Sequence, residues 1–137
     1  MTIVVFDNEA IGALAEVRHP HHRAALAYVE VVAQRGRKGA TVSALVPTAV
    51  RVEADWDRTD QRFALINRLR ISDAELDTRA ANRAASLHAA VGVSVADAHV
   101  AAVALAAAGH DAVTVVTSDP NDIRRLTDPA PVVIAKL

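Results

Sequence analysis

Thr2-Ile3-Val4-Val5-Phe6-Asp7 and Ala112-Val113-Thr114-Val115-Val116-Thr117-Ser118-Asp119 are the most informative stretches of the 137-residue chain. Each is an unbroken run rich in β-branched and apolar residues, without the polar alternation of a half-solvated strand. Such runs suit central strands of a parallel sheet covered on both faces. Each also ends in a carboxylate, and in open α/β sheets ligands collect where the strands end. Two weaker strands are expected at Ala40–Ala44 and Pro131–Ala135. Between the strands the sequence predicts helices over Asn8–Glu16, His21–Gln34, Pro47–Asp57, Asp60–Leu69, Asp73–Ala90 and Val95–Ala108. Strands alternating with helices predict a three-layer α/β/α fold around a central, mainly parallel sheet.

Several helix boundaries have their own chemistry. Ser72 with Glu75 fits a capping box, Pro47 suits a helix entry, and Gly92 and Gly109 suit helix stops. Arg35-Gly36-Arg37-Lys38-Gly39 reads as a basic turn, a solvated loop with RNA contact as the alternative. No linker or repeat interrupts the chain, so residues 1–137 are expected to form one domain of ordinary size.

Composition removes several kinds of chemistry. There is no cysteine, which excludes disulfides, thiol nucleophiles and thiolate zinc sites. The N-terminal apolar run is too short for a membrane span and lacks a basic start, so a cytoplasmic location is expected. Fifteen cations against sixteen acids give a net charge of -1, so nucleic-acid binding would need a local basic patch. Thirteen of the cations are Arg, the residue type that can hold phosphate through two parallel hydrogen bonds. Aromatics make up only 3%, leaving little for base stacking, so recognition would rest on phosphate and shape.

Two further acids belong with the strand-ending pair. Glu53 lies about two turns into the helix opened by Pro47, and Asp97 lies in the first turn of the helix entered at Ser94, where the dipole favours a carboxylate. Singly, Glu53, Asp97 and Asp119 have ordinary explanations: a solvated helix face, a cap partner and a turn residue before Pro120. Asp7 does not, because an acid ending a buried strand is poorly solvated and needs a partner. If all four converge, their repulsion calls for a divalent cation. Carboxylate and water oxygens suit Mg²⁺ or Mn²⁺, ions that lower the pKa of a bound water and stabilise charge on a phosphodiester. His19, His21 and His22 flank Pro20 with poor chelating geometry and read as a turn. His99 diverges from Asp97 by about 200° around its helix and reads as packing or surface. Trp56 reads as a core or dimer anchor.

Four segments together resemble the PIN domain family, specifically the VapC-type toxins of bacterial toxin–antitoxin pairs. They are Val4-Val5-Phe6-Asp7, Pro47-Thr48-Ala49-Val50-Arg51-Val52-Glu53, Val95-Ala96-Asp97-Ala98-His99-Val100-Ala101-Ala102 and Val115-Val116-Thr117-Ser118-Asp119-Pro120-Asn121-Asp122. The resemblance spans nearly the whole chain. It implies a PIN-like fold, a metal site at Asp7, Glu53, Asp97 and Asp119, and a hydroxyl side chain from Thr117 or Ser118 orienting the last acid. It further implies RNA endonuclease activity, homodimerisation, and an antitoxin protein that enters the acidic groove. Many relatives carry Ser or Thr after the first acid, where this chain has Asn8 and then Glu9; Asn8 can still donate a hydrogen bond. Asp122 could share the role of Asp119 or cap the short segment Ile123–Leu126. Two other functions fit the same residues: a PIN-fold module that binds RNA or antitoxin without cutting, and a phosphatase using Asp7 as nucleophile.

Overall fold

The computed structural model describes residues 1–137. Five strands form one sheet in the order β3-β2-β1-β4-β5, with β1 Thr2–Phe6, β2 Val42–Pro47, β3 Ser72–Ala74, β4 Ala112–Thr117 and β5 Val132–Lys136. Every neighbouring pair is parallel, and the two information-rich runs lie side by side, Phe6 opposite Val116. Val5, Phe6, Val115 and Val116 are fully buried, as expected of strands covered on both faces.

Seven helices cover the sheet: α1 Asn8–Ala15, α2 His22–Arg37, α3 Thr48–Glu53, α4 Ala64–Asn67, α5 Thr78–Val91, α6 Val95–Ala108 and α7 Pro120–Thr127. Helix α6 lies against β1, β2, β4 and β5 and carries α5 and α7, while α1 and α2 pack together beside β1 and β2. The arrangement is the three-layer, PIN-like architecture that the sequence predicts. The alanines of α6 make this close packing possible: Ala96, Ala98, Ala101, Ala102 and Ala104 are all buried. No helix is long and apolar enough to cross a membrane.

The largest departure from expectation lies between residues 54 and 78. The helix expected over Pro47–Asp57 ends at Glu53, because Asp55 takes a left-handed conformation (φ 55°) and Trp56 turns inward to burial. Asp60–Leu69 is a 3-10 turn, Gln61–Phe63, followed by the single turn of α4. The Ser72–Glu75 capping box does not form. The backbone of Ser72–Ala74 pairs with Leu45–Pro47 as the edge strand β3, and the helix begins later with Asp77 as its cap, accepting from Ala80 N–H at 2.8 Å. The basic turn is also shorter than expected, since Arg35–Arg37 form the last turn of α2.

Candidate acidic site at the strand ends

Strand β1 is followed in the sheet by β2 on one side and β4 on the other, so chain connections diverge to opposite halves at the β1/β4 boundary. A crevice opens outside the carboxyl ends of the strands at such a point. Asp7 stands there directly after β1. Its side chain caps α1, accepting from Ala10 N–H at 2.9 Å, and its own N–H donates to the Val116 carbonyl. The residue is 5% exposed. Burial raises its pKa from 3.8 to about 6; hydrogen bonding from Thr117 and Ala10 opposes the rise, and the charges of Asp97 and Glu9 add to it.

Asp97 faces the same crevice from α6, with its N–H held by the cap residue Ser94. Burial raises its pKa also, reinforced by the negative charges of Asp122 and Asp119. Asp119 follows β4 as the residue before α7, and its N–H donates to the Thr117 hydroxyl at 2.9 Å. Thr117, itself buried, therefore touches both strand-ending acids. Asp122 lies in the first turn of α7, not before a separate Ile123–Leu126 segment, and its only ion pair is a 3.4 Å contact with Arg125. Asn8 and Ser118 are partly exposed beside Asp7 and Asp119.

Glu53 stands apart. It is exposed at the end of α3 and lines an apolar recess of about 490 Å³ with Val52, Leu76, Ser94 and Val95. It thus reaches the segment leading to Asp97, but it is not among the charges that perturb Asp7 or Asp97. As the side chains stand, no group of three or more His, Asp or Glu is close enough together to hold a metal ion. Asp7 and Asp97 nevertheless fit a hard divalent cation. Asp7 is buried and Asp97 half-buried, neighbouring acids raise the cost of ionising each, and no salt bridge neutralises either. Mg²⁺ is commonly held through one or two carboxylates while keeping several waters.

His99 has a role that its sequence position did not reveal. It is completely buried, and its Nδ1 accepts the Ala49 N–H in the first turn of α3 at 3.3 Å. That bond fixes Nδ1 as the unprotonated nitrogen, leaving Nε2–H buried without a full hydrogen-bond partner. Burial lowers its pKa, which keeps the ring neutral. His99 therefore links α6, which bears Asp97, to α3, which bears Glu53. Three other histidines close the α1–α2 turn: His19 Nδ1 accepts from His21 N–H, and His22 Nδ1 lies 2.7 Å from the Ala13 carbonyl oxygen.

Fold and site together define a parallel α/β protein with an acidic crevice at its topological switch point. No family model and no curated protein sequence matches the chain. The structure is similar to a chain in the crystal structure of VapBC2 from Rickettsia felis bound to a DNA fragment from their promoter, with a TM-score of 0.67, 13% identity and 98% of each chain covered. At that identity the likeness is one of fold.

Proposed function

We propose that this chain is a Mg²⁺- or Mn²⁺-dependent RNA endonuclease, the toxin of a type II toxin–antitoxin pair. The observation that carries this reading is the pair Asp7 and Asp97: a buried and a half-buried acid at the carboxyl end of the sheet, neither paired with a basic side chain. Such a pair costs stability, and a bound divalent ion would offset that cost. Asp7 and Asp97 would hold the ion, with Asp119 and Glu53 completing the site and orienting water. Once bound, the ion supplies a water of lowered pKa and positive charge for the phosphodiester. Thr117 holds Asp7 and Asp119 in register, and His99 holds α3 against α6. The fold likeness to VapBC2 supports an antitoxin partner, and the exposed Val52 and Val95 beside Glu53 offer apolar surface for it. A homodimer belongs to the same reading.

The test is cleavage of RNA with Mg²⁺, with EDTA, and by Asp7→Asn and Asp97→Asn variants. Cleavage that requires metal and disappears in both variants is expected; cleavage persisting in both would remove the mechanism. A second reading, a non-cutting RNA- or antitoxin-binding module, is favoured by the separation of Glu53 from the other acids. Calorimetry distinguishes the two, because a chain that binds RNA in EDTA and takes up no Mn²⁺ is a binding module.

A further inference from the structure

A cleft of about 720 Å³, larger than the recess beside Glu53, lies away from the acidic crevice, beside the start of β2 and the turn that leads into β3. Arg37 from the end of α2 and Arg68 and Arg70 from that turn line it, together with Ser43 and Ser72. Lys38 follows Arg37 directly. None of these four cations forms a salt bridge, whereas Arg51, Arg58, Arg62 and Arg125 all do. The sequence explains why: no acid occurs between Glu30 and Glu53, or between Asp60 and Asp73. Glu30 is the one acid lining the cleft.

Helix-dipole complementarity accounts for Arg37 and Lys38 at the end of α2. It does not account for Arg68 and Arg70, which come from a different segment and face the same space. We propose that this cleft is a second RNA-binding surface that holds the phosphate backbone of a strand whose other part occupies the acidic crevice. The choice of RNA rests on the function proposed above. Guanidinium groups pair with phosphate through two hydrogen bonds, while the lack of aromatic residues in the cleft suits backbone contact rather than base reading. The crevice lies at the carboxyl end of β1 and the cleft beside the amino end of β2, about 15–20 Å away along the strands. A strand of several nucleotides can touch both, whereas a very short one can touch only one.

The experiment measures binding of labelled oligouridylate to the full chain in EDTA, comparing a tract long enough to span both surfaces with one of two or three nucleotides. Wild type is compared with Arg68→Gln/Arg70→Gln and, from the other segment, Arg37→Gln/Lys38→Gln. For either pair, loss of two phosphate contacts should lower the salt slope by about 1.4 and weaken long-tract binding about tenfold at 0.15 M salt. The short tract, which reaches only one surface, should bind wild type more weakly than the long one. Unchanged long-tract binding in both variants, equal affinity of wild type for the two lengths, or no binding by wild type overturns the proposal. So does a larger loss of polyglutamate binding than of RNA binding, which would assign the cleft to an acidic polypeptide. Cleavage plays no part in EDTA, so a chain that binds the long tract as described yet never cuts RNA refutes only the nuclease reading.

Discussion

The acidic crevice and the surroundings of Trp56 treat charge in opposite ways. Around Trp56, Asp73 lies between two guanidiniums, 2.8 Å from Arg51 and 2.9 Å from Arg58. The Arg58 guanidinium also sits 4.3 Å from the centre of the indole ring, and the indole N–H donates to Asn67 at 2.8 Å. That carboxylate and both guanidiniums are paired. In the crevice, Asp7 is more deeply buried than Asp73 and has neighbours of its own sign. The first arrangement serves folding, because it lets a loop without long helices bury its one tryptophan. The second weighs against folding once its acids are ionised, and the cap that Asp7 provides to α1 offsets only part of this.

The comparison breaks most visibly at Trp56. Trp56→Ala should cost about 3–5 kcal/mol, measured by urea denaturation, since it empties a fully packed site and strands Asn67; a loss under about 1 kcal/mol would mean the loop does not depend on its ring. Asp7 should show the reverse character. Its folded-state pKa lies above its unfolded value, so the folded chain binds the proton more tightly and this group favours folding most at low pH. That contribution falls as pH rises from about 4 to about 6 and stays low above, a change on the order of 3 kcal/mol. The stability difference between Asp7→Asn and wild type, followed across this window in EDTA, should move in favour of the variant. A difference independent of pH would show that Asp7 carries no such burden.

Asp7→Asn should also lower RNA cleavage by on the order of 100-fold or more while leaving the fold intact, because asparagine can still cap α1. Cleavage and stability falling together would make Asp7 a structural residue. Adding Mn²⁺ to wild type should raise the melting temperature, and should do less for Asp7→Asn; a hundredfold excess over Kd corresponds to about 2.7 kcal/mol. The smallest effect is expected at Asp73. Its partly exposed ion pairs should contribute about 1 kcal/mol, so Asp73→Ala should shift the denaturation midpoint slightly and leave cleavage unchanged.

The sheet centre and α6 were legible in the sequence because burial on both faces and a Ser94 cap impose patterns that need no distant partner. Asp7 and Asp97 were legible for the same reason, standing at the ends of those elements. The β3 edge of the sheet was not. Ser72 and Glu75 satisfy a local capping pattern, but the strand partner Leu45–Pro47, far away in sequence, claims that backbone first. The early end of α3 depends likewise on the burial of Trp56, and with it the position of Glu53. His99 could be placed on a helix but not assigned a partner, since Ala49 lies fifty residues away.

The adjacency of β1 and β4 has a consequence for the chain during its synthesis. Asp7 leaves the ribosome more than a hundred residues ahead of the strand that shields it and of the Thr117 that tethers it to Asp119. Until then Asp7 is an ordinary solvated carboxylate with no pocket around it. The crevice therefore comes into existence only once β4 has been made, and a chain stalled before β4 carries the first acid without the site.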